Sequence, residues 1–314
     1  MGLTGVLAVN GEHSKTLIEK QPLSNKLSCD EPSICSQSFP NSTPSLKRLL
    51  LGEFSIKRIV YSVLFVYGFL FFYAWGMSDR LIFQPQSSSY KDTEEILKLT
   101  TSDGIQISAI HLQNPKAIYT LLYSHGNAED LGDIRPVLND LVTMGFSVFA
   151  YDYHGYGTSH GNPTEPNTYH DINAVYDHLT QKLKVLPDRI ILYGRSVGTG
   201  PAVDLASRKP VAGLILESPF VSAFRVLTRI PILPFDKFQN IKKIPKIHCP
   251  VLVMHSKIDE TIPFWHGQKI FNNANEPKRC LWVDQANHNN MPSVIPELYA
   301  KTLREFSDLV SKTQ

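Results

Sequence analysis

A serine framed by two glycines is the residue best placed to do chemistry in this chain. It lies in Gly194-Arg195-Ser196-Val197-Gly198, directly after the apolar run Ile190-Ile191-Leu192-Tyr193 and before a helix-compatible stretch. A strand that turns at once into a helix holds such a serine at a strained backbone position, with its hydroxyl pushed out at the strand's carboxyl end. Gly194 and Gly198 are expected where a side chain would strike the neighbouring strand or helix. The chemistry is nucleophilic attack on a carbonyl carbon, with the Val197 N–H, at the start of the helix, aimed at the developing oxyanion.

A serine alcohol is a weak nucleophile and needs a base, which in turn needs an orienting acid. After an elbow of this kind the chain order is serine, acid, histidine. Asp259 follows the strand-like run Pro250-Val251-Leu252-Val253-Met254-His255, and His288 follows Cys280-Leu281-Trp282-Val283. Among 11 histidines, His288 alone follows a late strand after the acid. Glu260 and Glu217 compete for the acid role. Glu260 neighbours Asp259 on a loop, where adjacent side chains diverge, while Glu217 ends its own strand and could reach a histidine; motif order favours Asp259. A second oxyanion donor is expected from the loop after an earlier strand. The Asn127 N–H is the candidate, in His125-Gly126-Asn127-Ala128, with Gly126 permitting close approach. His125 reads as a core histidine bonded to backbone.

These residues need a sheet to gather them. Strand patterns near 119–124, 146–151, 189–193, 212–217, 250–255 and 280–283 alternate with helical stretches. That alternation predicts an α/β fold with a mostly parallel sheet covered on both faces. Ile96 to Leu99 and Ile105 to Ile110 flank Ser102-Asp103-Gly104, a hairpin signal. The carboxyl ends of the parallel strands gather the site loops on one edge. About thirty residues separate Glu217 from Pro250, too few for a large cap domain. Their apolar groups, Phe220 through Phe235, suit either a low lid for an acyl chain or ordinary core packing. Asp236 reads as a turn or capping residue.

The chain divides into residues 1–57, polar and predicted disordered; 58–78, a predicted transmembrane helix; and 79–314, the catalytic domain. Residues 59–77 carry no charge and eight aromatics. At ~1.5 Å per residue they span ~28 Å, close to the ~30 Å of bilayer hydrocarbon, so a lipid bilayer is the expected partner of this stretch. Lys47, Arg48, Lys57 and Arg58 precede it and Arg80 and Lys91 follow. By the positive-inside rule the domain lies on the non-cytosolic side. Gly2 lacks a myristoylation context, because residue 6 is Val. The sequon at Asn41 would stay on the cytosolic side. Cys29, Cys35, Cys249 and Cys280 show no disulfide pattern, and Cys29 and Cys35 are candidate acylation sites. A net charge of +2 gives no reason to invoke nucleic acid. No metal-ligand spacing or dinucleotide fingerprint occurs, so no cofactor is expected.

Three further segments carry a family resemblance: Tyr123-Ser124-His125-Gly126-Asn127-Ala128-Glu129-Asp130-Leu131-Gly132, Tyr151-Asp152-Tyr153-His154-Gly155-Tyr156-Gly157-Thr158-Ser159, and Val203-Asp204-Leu205-Ala206-Ser207-Arg208. From about Asp79 onward the chain resembles the α/β-hydrolase-domain serine hydrolases that include the protein depalmitoylases and their membrane-anchored relatives. The resemblance implies that Ser196, Asp259 and His288 form the triad and that a palmitoyl thioester is the substrate. Two loops depart from the family pattern. His255-Ser256-Lys257 stands where His-Gly is common. Gln285-Ala286-Asn287-His288-Asn289-Asn290 stands where Gly-x-Gly-His-Asn-Asp is common, so Asn287 is expected to take the left-handed backbone of the missing glycine. The leading expectation is a membrane-anchored hydrolase of long-chain esters or thioesters. Lysophospholipid or monoacylglycerol is the alternative substrate for a non-cytosolic domain. A non-catalytic binding protein on the same fold is the rival class.

Overall fold

The computed structural model describes residues 55–313. The expectation of disorder over 1–57 falls almost wholly outside them, as do the readings of Gly2, Cys29, Cys35, Asn41, Lys47 and Arg48.

Eight strands form one sheet in the order β1-β2-β4-β3-β5-β6-β7-β8. They are β1 (Leu97–Thr100), β2 (Gln106–Leu112), β3 (Thr120–Ser124), β4 (Ser147–Tyr151), β5 (Ile190–Arg195), β6 (Gly213–Glu217), β7 (Val251–Ser256) and β8 (Lys278–Val283). β1 and β2 are antiparallel across the expected turn, and β2 meets β4 antiparallel; every other pairing is parallel. The central parallel strands are short apolar runs because they are buried on both faces, as the burial of every residue of β3, β6 and β7 shows, whereas β8 at the sheet edge is buried only at Val283.

Alternate residues feed two cores. On one face Leu122, Leu192, Leu214 and Val253 pack with α3 (Glu165–Asp177) and α4 (Thr199–Ala206). On the other, Tyr123, Ile191, Ile215 and Leu252 pack with α2 (Arg135–Thr143) and with the amphipathic helix α9 (Pro296–Thr313), through Tyr299, Leu303, Phe306 and Val310. The remaining helices are short: α5 (Ala223–Leu227), α6 (Asn240–Lys243), α7 (Trp265–Asn273) and α8 (Met291–Val294).

Before the sheet runs α1 (Ile56–Ile82), 27 residues long and ~40 Å at the usual rise. It extends past both ends of the expected 58–78 segment. It is the one helix among the described residues long and apolar enough to cross a membrane, and none of its most apolar 18 residues is buried. From Tyr67 onward it touches the segment between β6 and β7. The Tyr67 hydroxyl donates to the Ile232 carbonyl at 3.3 Å, Phe71 meets Phe235 edge-on, and Asp79 pairs with Lys237 at 3.1 Å. That segment is core in part and exposed in part. Phe220, Val221 and Phe238 are core, whereas Leu227, Ile230 and Ile232 are 91%, 69% and 51% exposed. Asp236 holds the turn by accepting from the Phe224 and Lys237 N–H groups and the Ser222 hydroxyl.

Candidate active site

β5 lies between β3 and β6, so the loop at its end opens at the centre of the sheet's carboxyl edge. Ser196 follows it with φ +51°, a left-handed backbone that costs a non-glycine residue about 1–3 kcal/mol. The chain then turns through Ser196–Gly198 into α4. Both elbow glycines are required by close approach. A Cβ on Gly194 would sit 2.6 Å from the Gly198 carbonyl and 2.7 Å from the Thr199 Cα. One on Gly198 would sit 2.6 Å from the His125 carbonyl and closer still to that of Ser124. The elbow is thus pressed against the loop that follows β3.

The structure brings Ser196, His288 and Asp259 together from three loops. The Ser196 Oγ lies 3.0 Å from His288 Nε2, and His288 Nδ1 lies 2.8 Å from Asp259 Oδ2. All three are buried. The tautomer that satisfies both contacts carries its proton on Nδ1, leaving Nε2 to accept from the serine. Asp259 Oδ1 accepts from the Thr261 and Ile262 N–H groups at 2.9 and 2.7 Å. Burial alone would raise the Asp259 carboxyl. Hydrogen bonds from His255, His288 and the Ile262 N–H overcome it and hold the group well below the usual carboxylate range.

Neither rival acid faces the His288 ring. Glu260 accepts from the His288 backbone N–H at 3.3 Å. Glu217 accepts from the Tyr193 and Tyr299 hydroxyls and lies 3.6 Å from Arg195 Nε. Asn287 does not adopt the left-handed backbone expected of it; it is not among the residues with positive φ. Its side chain caps the loop instead, accepting from the Asn289 N–H at 2.9 Å, while its own N–H donates to Asn290 Oδ1 at 2.7 Å. Ser256, where the family commonly has glycine, donates from its hydroxyl to the Ala286 carbonyl and accepts from the Ile258 N–H. Side-chain amides therefore brace the base loop from within, and the Ser256 hydroxyl joins it to the end of β7, in place of the missing glycines.

The loop after β3 is fixed from several sides. His125 is fully buried: Nδ1 donates to the Gly126 carbonyl at 2.7 Å and Nε2 lies 3.4 Å from Asp152, a structural role as expected. Asn127 uses its whole side-chain amide. Its Nδ2 donates to the Ile82 carbonyl at 2.7 Å. Its Oδ1 accepts from the Gln84 N–H at 3.0 Å, the Tyr156 hydroxyl at 2.6 Å and the Ala128 N–H at 3.0 Å. The loop beside the elbow is therefore tied to the last turn of α1 and the residues just after it.

Sequence patterning does not single out Arg195 or Glu129, because a charge at the variable position of the elbow reads as a solvated side chain. In the fold they pair at 2.6 Å with little exposure. Among the described residues no group of three or more His, Cys, Asp or Glu is placed to hold a metal ion. What the arrangement can do is transfer an acyl group through serine.

The family model described as serine aminopeptidase, S33, matches residues 113–241, a stretch that includes Asn127 and Ser196 and ends before Asp259. The chain is 41% identical over 240 residues to human alpha/beta hydrolase domain-containing protein 17B, covering 75% of this chain and 81% of the relative. It is 40% identical to protein 17C of Xenopus laevis, covering 75% of each. The Pyrococcus furiosus esterase Pf2001 superposes with a TM-score of 0.61 at 20% identity, covering 71% of this chain and 97% of that one. The Exiguobacterium antarcticum esterase EaEST does so with 0.53 at 20% identity, covering 67% and 98%. These two likenesses bear on the fold alone.

Proposed function

Because the chain belongs to the serine hydrolases of the alpha/beta hydrolase domain-containing protein 17 family, we propose that it is a membrane-anchored hydrolase of long-chain carboxylic esters or thioesters. The observation that carries the reading is the unbroken hydrogen-bonded relay from Ser196 through His288 to Asp259. Ser196 attacks the acyl carbonyl as His288 takes its proton. Asp259 fixes the imidazole tautomer and offsets the imidazolium charge. The N–H groups of Val197 and Asn127 hold the oxyanion. His288 then returns its proton to the leaving alcohol or thiol, and a water deprotonated by His288 releases the acid.

Helix α1 is the anchor. Its length exceeds the ~30 Å hydrocarbon thickness, its surface is apolar, and charge begins only at its ends, with Lys57, Arg58, Asp79 and Arg80. The exposed Leu227, Ile230 and Ile232 beside it extend an apolar surface suited to an acyl chain. The surplus of basic residues before the helix supports a non-cytosolic domain, which favours a lysophospholipid or monoacylglycerol. A cytosolic domain favours an S-acylated protein.

Fluorophosphonate labelling tests the nucleophile. The wild-type chain is expected to label and Ser196→Ala to remain unlabelled, with hydrolysis lowered by several orders of magnitude. Retention by Ser196→Ala of more than roughly a tenth of the rate refutes the assignment. A panel of acyl thioesters, lysophospholipids and monoacylglycerols then separates the substrates. A sequon engineered beside the exposed Lys182 reports the side of the membrane, and its glycosylation in a eukaryotic host is expected.

A further inference from the structure

The relay uses no cation, yet one lies directly behind the nucleophile. Arg195 ends β5 with its side chain only 12% exposed. Every part of its guanidinium has a partner. Nη1 donates to both Glu129 oxygens at 2.6 and 2.7 Å, Nη2 donates to Asn289 Oδ1 at 2.8 Å, and Nε lies 3.6 Å from the buried Glu217. Burial disfavours the Arg195 charge, but the neighbouring Glu129, Tyr123 and Glu217 outweigh it and raise the group further above its ordinary value. An ion pair sunk this far is poor evidence of stability, since apolar residues of like size serve as well. What it supplies is geometry: a planar fork that fixes direction as well as distance.

The partners are the loops the reaction needs. Glu129 Oε1 also accepts the Gly126 N–H at 2.5 Å, closing the turn that carries Asn127. A Cβ on Gly126 would sit 2.6 Å from Glu129 Oε1 and 3.2 Å from Arg195 Nη1, so a side chain there would have to displace the ion pair. Asn289 adjoins His288. One guanidinium, rooted in the residue before Ser196, therefore grips the oxyanion-side loop on one flank and the base loop on the other.

We propose that Arg195 is a positioning residue: with Glu129 and Asn289 it sets the Asn127 loop and the His288 loop at fixed distances from Ser196. It touches none of the reacting atoms. This inference rests on the serine relay proposed above.

The test uses the full-length chain in detergent, with a short p-nitrophenyl ester and a fluorophosphonate probe. Labelling of the wild-type chain establishes the relay independently of Arg195, so absence of labelling there overturns the relay. A silent Arg195 variant overturns the positioning role alone. Arg195→Gln is expected to lower kcat about tenfold to a hundredfold, the scale of a misplacement near 1 Å, with KM within about twofold. The fraction of chain that finally labels should stay complete while its labelling rate falls with kcat. A merely structural role would instead shrink the labelled fraction. Glu129→Gln should fall to a similar level, and the Arg195→Gln/Glu129→Gln double variant should be little worse than either single, as for residues acting as one unit. Asn289→Ala, at an exposed position, should lose activity about threefold to tenfold, by release of one of the two loops. Arg195→Gln within about twofold of wild-type kcat overturns the role. So do losses that multiply in the double variant. If Arg195→Gln does not fold, Asn289→Ala decides, and wild-type kcat there overturns the proposal.

Discussion

Gly198→Ala isolates the effect of a single methyl group on the elbow. Gly198 has φ −62° and ψ −16°, a backbone that alanine adopts freely, so any loss is steric rather than conformational. The new Cβ would stand 2.6 Å from the His125 carbonyl oxygen, whereas carbon and carbonyl oxygen ordinarily rest about 3.4 Å apart. The deficit is about 0.8 Å there and larger at the Ser124 carbonyl. Neither oxygen can rotate away. Both belong to main chain at the end of β3, which is hydrogen-bonded between β4 and β5. The start of α4 must therefore retreat, carrying Ser196 and the Val197 N–H away from the Asn127 loop. A shift of this size is expected to lower kcat about a hundredfold. Overpacking should cost about 1–3 kcal/mol, a fall of about 2–4 °C in Tm per kcal/mol for a chain this large. The assays are steady-state hydrolysis of a short-chain ester and thermal unfolding, with Gly68→Ala as control. A Cβ at Gly68 meets nothing within 4 Å, so that variant should keep its kcat. Gly198→Ala with kcat within about threefold of wild type would refute the reasoning, because the elbow would then tolerate what the geometry forbids.

Asp259→Asn is expected to lower kcat by about 10⁴ through the wrong imidazole tautomer, while Glu217→Gln costs less than about tenfold; the reverse ranking in steady-state kinetics would remove Asp259 from the relay. Because the folded state depresses the Asp259 carboxyl, its contribution to stability is complete above the ordinary carboxylate pKa of about 3.9 and is lost as pH falls toward the depressed folded value. On acidification below about pH 4 the wild-type chain should therefore lose more stability than Asp259→Asn, and parallel acid-unfolding curves would contradict this. Burial pushes the Cys249 thiol up to about 12, so iodoacetamide at pH 8 should leave Cys249 unmodified by mass spectrometry and hydrolysis intact, and its alkylation in the native state would be the contrary result. Removal of residues 1–78 should leave a chain that still hydrolyses short esters, whereas removal of 1–86 deletes the Ile82 and Gln84 partners of Asn127 and should lower kcat; equal rates would make those contacts irrelevant to the site.

The sheet and the relay were largely legible because their signals are local. The central parallel strands are buried on both faces and so appear as compact apolar runs. The elbow carries its own steric requirement in two glycines, and motif order selects Asp259 and His288 from the loops after β7 and β8. What escaped was pairing between distant segments. Arg195 and Glu129 stand 66 residues apart, and Asn127 reaches Ile82 across 45. Neither contact leaves a periodicity, since each depends on the fold bringing two loop ends together. The left-handed expectation for Asn287 failed for a related reason. A loop can replace a glycine with side-chain hydrogen bonds to its own backbone, and Asn287, Asn290 and Ser256 do so. Helix α1 outlasts the uncharged run 59–77 because charge does not end a helix. Asp79 and Arg80 continue the helix, with Asp79 paired to Lys237.

The spread of the site along the chain governs when it comes into being during synthesis. The serine precedes its base by 92 residues, and Tyr193, at the core of the elbow strand, waits 106 residues for Tyr299. A chain still on the ribosome can have emerged past Ser196 and Asp259 while His288 remains inside. Any product that stops short of His288 holds a serine with no base, and one that stops before Tyr299 leaves the buried Glu217 without one of its two phenol donors. Activity thus waits until the chain beyond His288 has emerged and α9 can close over the sheet. A fragment that stops before His288 is therefore expected to be inert rather than an unregulated esterase.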